Sequence, residues 1–160
     1  MNNSRLLFLL PAIFLMIMIF YFSSEEAEAS TVTSTAFGKK IVQVVSDVLG
    51  KKLSERDVEE CAVSFDKIVR KTAHMTEYAM LYFAVWLALF MNSHRNKNII
   101  IVSICICVLY AITDEIHQLF VKGRSGSIRD IGIDSIGILF GALFVKFSYF
   151  VVYKLRKKYN

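Results

Sequence analysis

Helix-breaking and cross-linking residues are scarce in this chain. Only one proline, seven glycines and three cysteines occur among 160 residues. In their place, 55% of the residues are hydrophobic, and the mean hydropathy is +0.48. This is the composition of a small polytopic membrane protein, and the length leaves no room for a second domain beside one covering residues 1–160.

The three cysteines predict neither a disulfide framework nor a metal cluster. Cys105 and Cys107 lie two residues apart in an apolar helix and point to different faces, and Cys61 has no obvious mate. No CxxC, Walker-type or GxGxxG pattern occurs. The sequence therefore predicts no cofactor and excludes the commonest nucleotide-binding sites.

The net charge of +5 does not indicate a nucleic-acid partner. Lysine and arginine mostly flank apolar segments and are not interleaved with aromatic residues on a polar face. Membrane topology explains the charge better, so the expected partners are membrane lipids.

Four apolar segments predict an all-α protein with four transmembrane helices at about 6–22, 72–91, 99–119 and 131–153. The first could instead be a signal peptide, because Ala27, Glu28 and Ala29 resemble a small-x-small cleavage site. The run exceeds the usual apolar length of a signal peptide, and the triplet follows two glutamates. We therefore expect an uncleaved first span, and either outcome leaves the next segment outside.

The segment 23–69 between the first two spans is polar and extracytoplasmic by this reading. An amphipathic helix within it is expected to lie on the membrane or to pack across the spans. Ser54, with Asp57 three residues later, looks like the start of a further helix that can run into the second span. The apolar stripe of the amphipathic helix comprises Phe37, Ile41, Val44, Val45, Val48 and Leu49.

Basic residues near the span ends predict the orientation. By the positive-inside rule, both termini and the loop between the second and third spans are cytoplasmic. The polar ends of spans two, three and four then meet at the extracytoplasmic face. The residues that decide this are Arg5, Arg95, Lys97, Lys154, Arg156, Lys157 and Lys158.

Polar residues cluster where the spans end. Ionisable groups at membrane depth cost roughly 2.5 to 3.5 kcal/mol each, so they rarely occur without a function or a partner. Helical spacing places three sets on common faces. The sets are Arg70, His74 and Glu77; Tyr110, Asp114, His117 and Gln118; and Asp130, Asp134, Gly137 and Gly141. The Gly137 and Gly141 spacing also predicts close approach of a neighbouring helix.

The residue types indicate the chemistry of such a site. Arg70, Lys71, Arg124 and Arg129 can bind phosphate or carboxylate. His74 and His117, each near a carboxylate, suit proton transfer. Metal binding is a weaker alternative, because no HExxH motif or cysteine cluster occurs.

Purely structural roles remain open for the same residues. Arg70 and Lys71 could anchor the interface, and Asp114 could bond Arg70 or Arg124. His74 and Glu77 could be a hydrogen-bonded pair that joins two helices, Asp130 could cap the fourth span, and Tyr78 and Tyr110 could be belt aromatics.

Three blocks resemble the VanZ-like membrane proteins, a family named for a determinant of teicoplanin (glycopeptide) resistance in Gram-positive bacteria. They are RKTAHMTEY (70–78), TDEIHQLFVKGRSGSIRD (113–130) and IGIDSIGILFG (131–141), with a weaker echo in Ser23 and Ser24. Two positions depart from the family pattern. Glu25 stands where glutamine is frequent, and Asp134 stands where asparagine is expected, which adds a negative charge to the site.

The resemblance and the chemistry together define the candidate site. The candidate catalytic residues are His74, Glu77, Asp114, Glu115, His117, Gln118 and Asp130. The candidate anion- or substrate-binding residues are Arg70, Lys71, Tyr78, Arg124 and Arg129, and Gly123 is a further family position. No metal ligand is predicted.

Two functions follow as hypotheses, and both fit the lower teicoplanin susceptibility that the resemblance implies. In the first, a membrane enzyme acts on a lipid-linked or envelope substrate at the outer face. In the second, a non-catalytic protein binds a lipoglycopeptide or an anionic lipid. A transporter is disfavoured, because only the fourth span carries a charge within the membrane, and that charge, Asp134, is about one turn from the edge.

Overall fold

The structure is a computed structural model that describes residues 6–51, 53–92 and 98–159. The described residues contain five α-helices and no strand, so the all-α prediction is confirmed. The helices are α1 (Leu10–Ser23, after a 3-10 turn Leu7–Leu9), α2 (Ala27–Val48), α3 (Glu55–Asn92), α4 (Ile99–Gln118) and α5 (Ile128–Tyr159).

Two described helices are long and apolar enough to cross a membrane by themselves. They are α4, over Ile99–Gln118, and α5, over Ile128–Val152, and they coincide with the predicted third and fourth spans. The predicted first span meets this requirement only when α1 and α2 are taken as one span, and these two helices are bent by 109°. The structure thus supports two or three spans.

The predicted second span, 72–91, is the C-terminal half of α3, which is not among those qualifying helices. With 38 residues, α3 is about 57 Å long. It begins where the sequence predicted, because the Asp57 amide donates to Ser54 Oγ at 3.2 Å and the Ser54 amide donates to Asp57 Oδ2 at 3.3 Å. The polar helix predicted before the second span therefore runs into it without a break.

Helix α3 is central, since it packs against α1, α2, α4 and α5. Its apolar half buries Tyr78, Leu81 and Tyr82 completely, and Ile19 of α1 is equally buried. Burial of such side chains stabilises each by roughly 1.5 to 3 kcal/mol when water is the alternative. Helix α1 is therefore part of the same apolar core as α3.

Two of the three glycines of α5, Gly137 and Gly141, allow it to lie against α3. A Cβ at Gly137 would overlap the carbonyl oxygen of Met75, and a Cβ at Gly141 would lie 2.8 Å from the carbonyl oxygen of Ala79. Only glycine permits backbones to approach so closely. The predicted small-xxx-small contact is confirmed.

Helix α2 packs on α3 through its small residues, while its apolar stripe stays exposed. Ser30, Ser34 and Gly38 are buried, and a Cβ at Gly38 would meet Ala62 of α3 at 3.5 Å. Phe37 and Val48 are 59% and 80% exposed. The buried face lies beside the apolar stripe and packs on the part of α3 that precedes the predicted second span, because small side chains let two helix backbones approach.

The residues used to predict the orientation lie mostly outside the described part of the chain. They are Arg5, Arg95 and Lys97, together with the side chains of residues 156–158. The orientation stays a prediction.

Candidate functional site

A polar cavity of about 340 Å³ lies between α3, α5 and the loop 119–127 that joins α4 to α5. Seven of its thirteen lining residues are charged. The lining residues are Lys67, Arg70, Lys71 and His74 of α3; Glu115 and Gln118 of α4; Gly123, Arg124 and Ser125 of the loop; Asp130, Ile133 and Asp134 of α5; and Ala27 of α2.

The α3 side of the polar cavity is basic. Arg70 Nη2 lies 2.6 Å from Asp66 Oδ2, one helical turn earlier, and donates to Thr31 Oγ1 of α2 at 3.0 Å. Lys71 Nζ lies 3.0 Å from Asp130 Oδ1, so this pair joins α3 to α5 at the cavity wall. Ser34 also donates to Asp66 Oδ1. These contacts place a row of cations at helical spacing along one side.

Arg124 connects the loop to the turn between α1 and α2. Its Nε donates to the Glu25 carbonyl oxygen at 2.9 Å, and its Nη2 donates to the Phe22 carbonyl oxygen at 3.0 Å. Burial, with a smaller contribution from nearby Arg70, lowers the pKa of Arg124. The side chain therefore satisfies carbonyls at the end of α1 while its charge stays at the cavity wall.

The opposite side of the polar cavity is acidic. Glu115 is 5% exposed, and its Oε2 accepts the Ser127 amide at 2.8 Å. Asp134 is 2% exposed, and its Oδ2 has no hydrogen-bond partner within the described chain. The position where the family resemblance led us to expect asparagine thus brings a buried carboxylate to the cavity. Such a group needs a proton or a partner.

A second polar cluster joins α4 to the end of α1. Ser23 Oγ donates to Asp114 Oδ2 at 2.8 Å, and Gln118 Nε2 lies 3.3 Å from both of these atoms. Ser24 Oγ lies 3.0 Å from His117 Nε2. Asp114 therefore bonds serine and glutamine, and not Arg70 or Arg124, because the face of α4 that carries it packs on α1.

His117 takes part only in this second cluster. Its ring stacks on Phe20 with centroids 4.3 Å apart. Ser24 Oγ also donates to the Phe20 carbonyl oxygen at 2.7 Å, as serines near helix ends often do. The two histidines of the candidate site consequently lie in different surroundings.

An apolar cavity of about 300 Å³ lies between α2 and α3. Its apolar lining residues are Phe22, Phe37, Val69 and Ala73. Its remaining lining residues are Glu25, Ser30, Thr33, Ser34, Arg70, His74, Glu77 and Arg124. Arg70, His74 and Arg124 therefore line both cavities, and the predicted common face of Arg70, His74 and Glu77 is found here.

Seven of the twelve candidate residues line the polar cavity, namely Arg70, Lys71, His74, Glu115, Gln118, Arg124 and Asp130. The other five lie elsewhere. Glu77 lines the apolar cavity, and Asp114 and His117 face α1. Tyr78 is fully buried in the core and is no belt aromatic, while Arg129 is exposed and lines neither cavity.

Sequence reasoning missed Lys67, Asp66 and the contacts of Ser23 and Ser24. Lys67 had a usable signal, since it lies four residues before Lys71 on the same helix face. The two serines were noticed only as an echo of the family pattern. No local signal indicated that they would meet a helix more than 90 residues away.

The described residues contain no group of three or more His, Cys, Asp or Glu side chains arranged to hold a metal ion. The cations at the polar cavity would also oppose a divalent ion. The chemistry available there is anion binding by Lys67, Arg70 and Lys71, beside an imidazole and carboxylates.

Comparison with known proteins identifies the family. The family model VanZ/LLP1 matches residues 8–151. Searches of curated proteins and of solved structures find no match. The matched residues include all three blocks of the sequence and every residue that lines the polar cavity. The chain therefore belongs to the VanZ/LLP1 family.

Proposed function

We propose that this protein lowers susceptibility to glycopeptide antibiotics such as teicoplanin in Gram-positive bacteria, by acting on a lipid-linked or envelope substrate at the extracytoplasmic face. Membership of the VanZ/LLP1 family and the apolar helices support a membrane protein of this kind. The polar cavity supplies the site, with His74 as acid or base and Arg70 and Lys71 as anion-binding groups.

The proposed topology has four spans and cytoplasmic termini. Helices α1, α4, α5 and the apolar half of α3 form the spans. In favour of this, Ser23 at the end of α1 contacts Asp114 near the end of α4, and Lys71 contacts Asp130 at the start of α5. These contacts bring the polar ends of the four helices together, which fits spans that alternate in direction, with both termini on the opposite side.

The position of His74 is the observation that carries the proposal. Its imidazole lines the cavity together with Lys71 and the carboxylate of Asp130. An acid or base beside groups that hold an anion is the arrangement needed for proton transfer on a phosphorylated or carboxylated substrate. Helix packing alone is served by small residues such as Gly137.

The test is teicoplanin susceptibility of a sensitive Gram-positive host that expresses the wild type, His74→Gln or Arg129→Gln. Arg129 is the control, because it belongs to the same family block but lies outside the cavity. We expect protection by the wild type and by Arg129→Gln, and loss with His74→Gln at equal membrane abundance. Protection by all three proteins would refute a catalytic role for the cavity, and protection by none would refute the phenotype.

Non-catalytic binding of a lipoglycopeptide or an anionic lipid is the second candidate. It is favoured by the exposed apolar stripe of α2, where Phe37, Val44 and Val48 are all more than half exposed. On this reading His74→Gln retains protection, because glutamine keeps the hydrogen bonding, while Val44→Ser with Val48→Ser loses it. The reverse pattern favours catalysis.

A further inference from the structure

We propose that the polar and apolar cavities together bind one anionic membrane lipid, with its phosphate in the polar cavity and the start of its hydrocarbon chain in the apolar cavity. The inference rests on the proposed function and names the substrate class for the same site. It does not require that the lipid be chemically changed.

The shared wall is the first reason. Arg70, His74 and Arg124 line both cavities. A ligand that straddles this wall contacts a cavity lined mostly by charged residues on one side and a mainly apolar surface on the other. Such a division suits an amphiphilic ligand, because a small polar anion would occupy only the polar cavity and leave the apolar one unfilled.

The balance of available charge is the second reason. Of the three carboxylates that line the polar cavity, Asp130 is paired with Lys71 and Glu115 accepts the Ser127 amide, so these two already have a donor; Asp134, the third, can lie beside a phosphate in its protonated, neutral form. Lys67 forms no ion pair within the described chain, and Arg70 Nε is buried there without an acceptor. These unpaired donors favour a lipid headgroup with a net negative charge over a zwitterionic headgroup, whose own cation shields its phosphate.

The surroundings of the apolar cavity are the third reason. Phe22 and Phe37 at its rim are 38% and 59% exposed, so the cavity opens at the protein surface. The exposed apolar stripe of α2 continues from Phe37 through Ile41 to Val44. In a membrane protein such a surface adjoins lipid, which provides the entry for a chain. Charge complementarity at the shared wall then selects a lipid with an anionic headgroup.

The experiment titrates the purified full-length protein in a neutral detergent and measures bound ligand by native mass spectrometry. The probes are phosphatidylglycerol, phosphatidylcholine with the same chains, and glycerol 1-phosphate, which has a phosphate and no chain. Lys67→Gln tests the polar cavity and Phe37→Ala tests the apolar cavity. Their controls are Lys40→Gln and Phe65→Ala, exposed residues that line neither cavity.

We expect phosphatidylglycerol to bind more tightly than either other probe. Lys67→Gln should weaken it about two- to fivefold, the effect of one partly solvated charge contact. Phe37→Ala should weaken it about fivefold through lost apolar contact, and both controls should stay within about twofold.

Three outcomes would overturn the inference. Equal affinity for phosphatidylcholine would show that the cations of the polar cavity do not select an anionic headgroup. Binding of glycerol 1-phosphate as tight as that of the lipid, unaffected by Phe37→Ala, would leave an anion site without a chain site. Absence of binding by every probe would refute lipid binding at these cavities. The His74→Gln resistance assay is independent of all three, so failure of the lipid inference is distinguishable from failure of the proposed function.

Discussion

The contact between α3 and α5 gives the sharpest prediction, because α5 carries a glycine inside the contact and another outside it. At Gly137 a Cβ would overlap the Met75 carbonyl oxygen and lie 2.9 Å from its carbonyl carbon and 3.0 Å from its Cα. All three atoms belong to the backbone, so no side-chain rotation can relieve the overlap. At Gly132 a Cβ would meet nothing within 4 Å.

Both alanine substitutions remove the same helix penalty, since glycine in a helix interior costs about 0.5 to 1 kcal/mol relative to alanine. Gly132→Ala should therefore raise the free energy of unfolding by up to about 1 kcal/mol. Gly137→Ala gains the same amount but incurs an overpacking cost of about 1 to 3 kcal/mol or more, here at the upper end because backbone must move. We expect it to lower the free energy of unfolding by about 2 kcal/mol.

Reversible unfolding in mixed micelles with increasing denaturing detergent measures the two variants against the wild type. Helix separation at Gly137 should also lengthen the Lys71–Asp130 contact and weaken protection against teicoplanin. If Gly137→Ala were as stable as Gly132→Ala, the close packing of α3 on α5 would be refuted. Gly141→Ala, whose Cβ would meet the Ala79 carbonyl oxygen at 2.8 Å, should resemble Gly137→Ala.

Three further predictions concern the polar contacts. Asp66→Ala leaves the half-buried Arg70 without its carboxylate and should cost about 2 kcal/mol in the same unfolding assay, whereas Asp66→Asn, which keeps an acceptor, should cost clearly less. Arg124→Gln removes two hydrogen bonds to carbonyls at the end of α1, so amide hydrogen exchange at residues 24–27 should accelerate at least about tenfold; unchanged exchange would contradict this role. Ser24→Ala should lower the free energy of unfolding by about 1 kcal/mol, because its contact with His117 is lost, yet teicoplanin protection should remain. Loss of protection at equal abundance would instead indicate that Ser24 and His117 take part in the function.

The helices and their faces were predictable because both depend on local spacing. Ser54 and Asp57 began the third helix as expected, and the face of Arg70, His74 and Glu77 lines one cavity. The exception was α2, whose apolar stripe was visible but whose packing face was not. Its small polar residues look like solvent-exposed positions until Ala62 and Asp66 are seen to cover them.

The sequence predicted which residues of the candidate site share a helix face, but it did not predict the residues that they contact. Periodicity places Asp114 and His117 on one face of α4, yet it does not say which neighbour that face meets. The structure turns it toward Ser23 at the end of α1 and Ser24 just after it, leaves Glu115 at the polar cavity, and lets Gln118 contact both sites. Two candidate histidines that looked equivalent in sequence are thereby separated.

By itself, the amino-acid sequence determined the all-α class, the apolar segments, the glycine contact of α5 and the family, because each depends on composition or on spacing within one helix. The tertiary structure decided which groups the charged side chains contact. Lys71 contacts Asp130, 59 residues away in the sequence, and Arg124 contacts the Phe22 carbonyl oxygen, 102 residues away. It also decided that Tyr78 is buried, that Arg129 is not part of the cavity, and that α2 turns by 109° from α1. Contacts between distant helices depend on how whole faces pack, and no local pattern encodes that choice.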